Sequence, residues 1–298
     1  MALLDRVIAR TLRFVPKSIV RRVASRYIAG ETLDEALRVA AGLNELGIRA
    51  TLDILGEDIH NVDQANRAVN GYRELLEEIH RRKLDANVSI KLTQLGLKVD
   101  TRTCFELTDG LVRRANELNN FVRIDMEDSS CTTGTLEIYR ALRRDHSNVG
   151  VVIQAYLRRT VDDVLTLEDL RPNYRLCKGV YVEPREISYH DMRAINRNYV
   201  YILEKLLRTG SYVGIATHDE LIVWEAFRLI RDLKLPPAAY EFQMLLGVDQ
   251  QLRDIIRAAG HNLRVYIPFG RDWYAYSVRR LRENPRLAGY VLRAMLKK

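Results

Sequence analysis
The chain reads as an α/β protein whose core is a (β/α)8, TIM-like barrel, with extra helices at its N-terminus. Three observations lead there. Eight short apolar runs alternate with segments of helical period. No linker rich in Pro, Gly or Ser and no low-complexity tract divides the chain of 298 residues, so one large domain is the economical reading. No G-x-G-x-x-G follows the first apolar run and no P-loop occurs, which sets aside a doubly wound nucleotide-binding sheet.

Residues 1–30 form the first element. Leu3, Leu4, Val7, Ile8, Leu12 and Val15 recur at helical spacing up to Pro16. Arg6, Arg10, Arg13, Lys17, Arg21, Arg22 and Arg26 stand there against Asp5 alone. A basic amphipathic helix of this kind lies on an anionic membrane surface or docks on its own domain, and docking is the commoner outcome. The segment holds most of the net charge of +8, so the remainder, 31–298, is nearly balanced and offers no broad nucleic-acid face.

The barrel domain, 31–298, opens with a helix at Thr32, and Glu35 three residues on completes a capping box. The apolar runs follow in order: ATLDIL at 50–55, NVSIKLTQ at 87–94, FVRIDMED at 121–128, VGVVIQAY at 149–156, RLCKGVYV at 175–182, VGIATH at 213–218, YEFQMLLG at 240–247 and NLRVYIPFG at 262–270. Each is rich in β-branched or aromatic residues and short enough for a buried strand. The segments between them are rich in Leu, Ala, Arg and Glu. After the eighth run, Tyr276, Arg279, Arg280 and Glu283 share one helical face, with Val278 and Leu281 opposite. Two adjacent arginines beside a tyrosine make a fork for a carboxylate or phosphate with an aromatic wall.

In a barrel the C-terminal strand ends face the active site. Here they supply Asp53, Lys91, Asp125 with Glu127, Gln154, Arg175 with Lys178, Thr217 with His218, Gln243 and Tyr266. Any one of these is as readily a satisfied structural group, Asp53 and Gln243 especially; eight converging on one mouth point to a site. The excess of lysine and arginine over isolated carboxylates predicts an anionic ligand. No His-x-His, His-Glu-x-x-His or carboxylate triad occurs, so no metal is expected, and no G-x-S-x-G elbow signals a serine nucleophile. Cys104, Cys131 and Cys177 form no C-x-x-C pair, which argues against a disulfide framework or a zinc ribbon and for a reducing compartment. No run of about 18 apolar residues predicts a membrane-spanning helix. Residue chemistry thus supports a barrel enzyme acting on a small anionic substrate. It leaves open a Schiff-base aldolase using Lys91 or Lys178, and a nucleic-acid binder led by the basic N-terminus, which lacks a motif.

The ordered series VSIKLTQLGL, VRIDMEDS, IQAYLRRT, RLCKGVYVEP, ATHD, YEFQMLLGV and Y-x-x-RR resembles the proline dehydrogenases, most closely the short, single-function bacterial type. The resemblance runs from about residue 30 to about residue 290 and selects among the readings above. It implies a distorted (β/α)8 barrel that binds FAD non-covalently and oxidises L-proline to 1-pyrroline-5-carboxylate, the first step of proline catabolism. It also implies a membrane quinone as electron acceptor. Carried over by motif, Lys91, Arg279 and Arg280 grip the proline carboxylate, and Tyr266, Tyr276 and Leu245 wall the ring. Asp125 lies near substrate and flavin, within reach of the arginine fork. Met126 touches the isoalloxazine, Gln154 hydrogen-bonds the flavin ring and Arg175 lies against its reactive nitrogen. Lys178, Gly179 and Val180 follow the cofactor chain, with Thr217 and His218 near the adenine half. Glu283 braces the arginines or reaches the flavin. A lipid-borne acceptor gives the N-terminal segment a purpose, so the expected location is the cytoplasm, with peripheral contact at the inner face of the cell membrane if that segment binds lipid.

Overall fold
A computed structural model describes residues 21, 24–56, 59–274, 276 and 277. The expected N-terminal helix over 1–15, and with it Arg279, Arg280 and Glu283, lies outside the described residues. Eight strands, β1 (Arg49–Ile54), β2 (Ala86–Ile90), β3 (Val122–Ile124), β4 (Val149–Gln154), β5 (Asn173–Cys177), β6 (Tyr212–Ala216), β7 (Tyr240–Leu245) and β8 (Leu263–Phe269), are all parallel. They close in sequence order into a barrel, β1 pairing β8 with Thr51 opposite Tyr266. Helix α1 (Leu33–Glu45) precedes β1. Then α2 (Val62–Arg81), α3 (Thr101–Glu117), α4 (Ser129–Asp145), α5 (Thr160–Thr166), α6 (Met192–Arg208), α7 (Glu220–Asp232) and α8 (Gln250–Ala258) each follow a strand. Helix α1 starts at Thr32 with the expected reciprocal capping box to Glu35.

Three strands, β2, β3 and β5, stop well short of the ends of their apolar runs, each for a local reason. Strand β2 stops at Ile90, because Leu92–Leu95 wind into a 3-10 turn that ends on Gly96 at φ 104°. Strand β3 keeps only Val122–Ile124, because Asp128 accepts a hydrogen bond from Ser130 N at 2.9 Å and starts α4. Strand β5 ends at Cys177, and Gly179 turns the chain at φ 104°. A Cβ at Gly179 would lie 2.0 Å from the Tyr156 ring, so the close approach requires glycine.

Strand alternation splits the core in two. One set, including Leu52, Val88, Ile124, Val151, Leu176, Ile215, Phe242 and Ile267, is buried against the helices. Most of the alternate positions, which enter the lumen, are polar. Arg175 on β5 reaches Ser89 on β2, Asp125 beyond β3 and Gln243 on β7, contacts that only the barrel interior allows. Below it, Glu241 Oε1 accepts from Arg264 Nε at 2.6 Å and from Gln243 Nε2 at 2.7 Å, and Arg49 Nη1 donates to Oε2 at 3.4 Å. Arg123 Nη1 donates to Asn173 O at 2.5 Å and Val151 O at 3.3 Å. Burial pushes the Arg123 guanidinium down to about 9.

Residues 24–30 pack on the barrel wall. Ala24, Tyr27 and Ile28 are buried, Ala29 N donates to Pro268 O at 3.0 Å, and Gly270 N to Gly30 O at 3.0 Å. No helix among the described residues is long and apolar enough to cross a membrane.

Burial alone would raise the Glu241 carboxyl, but Arg264, Gln243 and Arg49 outweigh it and hold it below its ordinary value of 4.5. Its stabilising contribution is therefore complete above about pH 4.5 and fades as the pH falls below. Glu241→Gln should cost about 3–5 kcal/mol at pH 7, because it strands Arg264 in the lumen. Urea unfolding should show the gap from wild type narrowing as the pH drops under that range; a constant gap would contradict the ionic role.

Candidate active site
The C-terminal mouth of the barrel collects the strand-end residues into two groups. In the first, Lys91 leaves β2 as the cap of the 3-10 turn, and its Nζ donates to both carboxylate oxygens of Asp53 on β1, at 2.7 and 2.8 Å. Asp53 is fully buried, and Tyr72 of α2 donates to its Oδ1 at 3.4 Å. Asp125 emerges just past β3. Its Oδ1 accepts from Ser89 Oγ and from Arg175 Nη1, both at 2.6 Å, and its Oδ2 from Tyr266 OH at 2.8 Å. Lys91 Nζ stands 4.0 Å from the same Oδ2. Arg175 completes the cluster: its Nε donates to Gln243 Oε1 at 2.5 Å, and its guanidinium lies 5.2 Å from the centre of the Tyr266 ring. Burial, with Asp125 and Asp53 nearby, pushes the Tyr266 phenol well up, so it keeps its proton and donates.

Of the residues expected there, the structure thus brings Lys91, Asp125, Arg175 and Tyr266 into one contact network. Tyr276 is buried and near enough to act on the Tyr266 phenol. Leu245 ends β7, and its N–H donates to His218 Nε2 at 2.9 Å.

The second group lies beyond β5 and β6. Lys178 Nζ donates to Asp219 Oδ2 at 2.5 Å, Asn196 Nδ2 to the same oxygen at 3.0 Å, and Asp219 N to Thr217 Oγ1 at 3.0 Å. Partial burial would raise Asp219, but Lys178 and Asn196 overcome it and hold the carboxyl below its usual range. Val180 is partly exposed on the same loop.

Met126 and Gln154 lie between the groups. Gln154 Nε2 donates to Met126 O and Glu127 O, both at 3.3 Å, which fixes the amide orientation. Its Oε1 is then buried without a hydrogen-bond partner among the described residues. An orphaned acceptor of this kind suits a ligand carrying a ring N–H, and a flavin has one. Glu127 is committed elsewhere: its carboxylate accepts from Thr93 N at 3.0 Å and from Thr93 Oγ1.

Both candidate imine-forming amines, Lys91 and Lys178, are bound to carboxylates. An amine nucleophile needs the opposite setting, desolvated or beside another cation, so the aldolase reading loses its support. No group of three or more His, Cys, Asp or Glu among the described residues could hold a metal ion. Burial pushes the Cys104 thiol up to about 12 and the Cys131 thiol to about 11, which suits neither for nucleophilic work.

Several partners escape a reading of strand ends alone: Ser89, Glu241, Arg264 and Arg123, besides Tyr72 and Asp219. A signal for four of them exists. Ser89, Arg123, Glu241 and Arg264 each stand two positions before a mouth residue, namely Lys91, Asp125, Gln243 and Tyr266, and a period of two puts them on the same strand face.

The Lys91–Asp53 pair yields a test by double-mutant cycle. Lys91→Met leaves a fully buried carboxylate without its counter-ion and should cost about 3–5 kcal/mol in urea unfolding. Adding Asp53→Asn should recover part of that loss, with a coupling above about 1 kcal/mol. Simple additivity would show that the pair is not an energetic unit.

The chain matches the family described as proline dehydrogenase over residues 36–292. It is 37% identical over 280 residues to a proline dehydrogenase of Deinococcus radiodurans, covering 92% of this chain and 90% of that one. Against proline dehydrogenase 1 of Bacillus subtilis subsp. natto it is 34% identical over 275 residues, 92% and 91% of the two chains. Its fold is similar to the crystal structure of proline utilization A from Bdellovibrio bacteriovorus inactivated by N-propargylglycine. The TM-score is 0.82 with 27% identity, over 88% of this chain and 32% of that one, so this chain spans about a third of that protein's length.

Proposed function
The chain belongs to the proline dehydrogenase family, and from that premise we propose that it oxidises L-proline to 1-pyrroline-5-carboxylate with a non-covalently bound FAD and passes the electrons to a membrane quinone. The observation that carries the reading is the buried Lys91, Asp125, Arg175 and Tyr266 cluster at the barrel mouth, of which Lys91, Asp125 and Arg175 lie in the motifs that carry the resemblance. The unpaired Gln154 Oε1 supports a flavin beside it. When bound, FAD supplies the acceptor for the hydride that leaves proline C5.

The chain's own residues do the rest. Lys91, with Arg279 and Arg280, receives the proline carboxylate. Tyr266, Tyr276 and Leu245 wall the ring and set its distance and angle. Arg175 is a fixed cation held by Asp125 and Gln243, so it meets charge developing on its neighbour without reorganising. Gln154 and Met126 border the ring of the cofactor, while Lys178, Gly179, Val180, Thr217 and His218 serve its chain and adenine half. Glu283 braces the arginine fork or reaches the flavin. Proline must present a neutral amine for hydride to leave, so turnover rises with pH until that proton is gone. The basic residues of 1–30 suit an anionic lipid surface, which would bring the mouth to a lipid-borne acceptor at the inner face of the cell membrane.

The purified protein should be yellow and should bleach anaerobically on adding L-proline; a colourless protein that FAD cannot reconstitute would sink the reading. Arg279→Met or Arg280→Met should keep the flavin and lose about 2–4 kcal/mol in kcat/KM. A solvated helix face instead predicts changes within about 0.5 kcal/mol.

The Tyr266 phenol against the proline ring leaves no partner for an added hydroxyl, at a cost of about 1–3 kcal/mol. L-proline should therefore be preferred over trans-4-hydroxy-L-proline by about tenfold or more in kcat/KM. Tyr266→Ser should narrow that ratio, and an unchanged ratio would count against this placement of the substrate.

A further inference from the structure
Arg175 is a long side chain whose position the ion pair with Asp125 fixes at only one edge. The same Nη1 also donates to Ser89 Oγ at 3.1 Å, but a guanidinium held through one terminal nitrogen can still swing about it. The second restraint comes from β7. Gln243 Oε1 takes the Arg175 Nε proton at 2.5 Å, and the Gln243 amide cannot flip, because its Nε2 donates to Glu241 Oε1 at 2.7 Å. Glu241 in turn is held by Arg264 Nε at 2.6 Å. All four links lie inside the barrel, with Gln243 5% exposed and Glu241 2%.

The backbone makes room for this restraint. In the ladder, Gly214 of β6 stands between Arg175 on β5 and Glu241 on β7. The Gln243 side chain must cross over Gly214 to reach Arg175. A Cβ at Gly214 would sit 2.4 Å from Gln243 Nε2 and 2.8 Å from its Cδ. Gly214 does not adopt a positive φ, so the backbone conformation does not require glycine there; the crossing side chain does.

We propose that Gln243 is a positioning residue for proline oxidation: held by Glu241 and admitted by Gly214, it aims the Arg175 guanidinium at the reacting centre. The role rests on the reading of Arg175 given above. Asp125 supplies the charge that keeps Arg175 in the lumen, and Gln243 supplies the direction. A neutral amide suits the task, because it orients the cation without neutralising it; a carboxylate at 243 would face Glu241 and draw Arg175 away from developing negative charge.

The test compares Gln243→Met, which keeps the length and removes both hydrogen bonds, with Gly214→Ala, which keeps Gln243 and drives its amide out of place. Arg175→Lys is the reference. Each is read by steady-state kinetics, by thermal melting and by the midpoint potential of the bound flavin. Both variants should lose about tenfold in kcat with KM for proline changed less. Both should also shift the potential to more negative values, as Arg175→Lys should, because a misaimed cation stabilises the reduced flavin less. Wild-type kcat and potential in a folded Gln243→Met or Gly214→Ala, with only the melting temperature lowered, would make Gln243 a packing residue and overturn the proposal. Wild-type kcat and potential in Arg175→Lys would instead overturn the reading of Arg175 on which the proposal stands.

Discussion
Closing eight strands around charged side chains obliges each buried charge to find a partner across the lumen, and the Arg175–Asp125 ion pair is where those partnerships meet. The 2.6 Å contact joins β5 to the chain just past β3. Through Ser89 it reaches β2, through Gln243 and Glu241 it reaches β7, and through Tyr266 it reaches β8. Lys91 and Asp53 extend the same set to β1. Removing water from so many ions carries a large desolvation penalty, which the network offsets only when all of its members are present.

A lumen filled with Leu and Val would fold at least as well, as most barrels of this kind illustrate. A charged lumen exchanges stability for rigid orientation of groups that an apolar core could only border. The apolar work is moved to the outer layer, where Leu52, Val88, Ile124, Val151, Leu176 and Ile215 meet the helices. The division explains why stability and chemistry occupy different faces of the same strands.

That division also decides what could be read from the chain. The outer layer announces itself through runs such as VGVVIQAY and VGIATH, and all eight strands fall within or beside the expected runs. The ends of β2, β3 and β5 did not, because the polar residues that follow them belong to turns and helix caps: Lys91 caps a 3-10 turn, Asp128 caps α4, and Gly179 reverses the chain. At the mouth, Lys91 and Asp125 were legible as strand ends, whereas Arg175 and Tyr266 stand in the middle of β5 and β8 and join the same network through the lumen. Glu241 and Arg264 carried only the period of two from Gln243 and Tyr266, a signal easily overlooked because a charged residue inside a strand ordinarily marks its solvent face. Asp53, taken as readily for a structural group, proves to be the partner of Lys91, and only distance reveals that.

The strap formed by residues 24–30 bears on how such a chain assembles. Ala29 bonds Pro268 and Gly30 accepts from Gly270, at the same edge where β1 meets β8. These contacts join regions at opposite ends of the described chain, and bringing distant regions together carries a loop-closure entropy cost. Pairing β1 with β8 removes the two edges that an open sheet would offer to other chains and shuts the lumen charges away from water, and the strap adds two backbone hydrogen bonds to that closure.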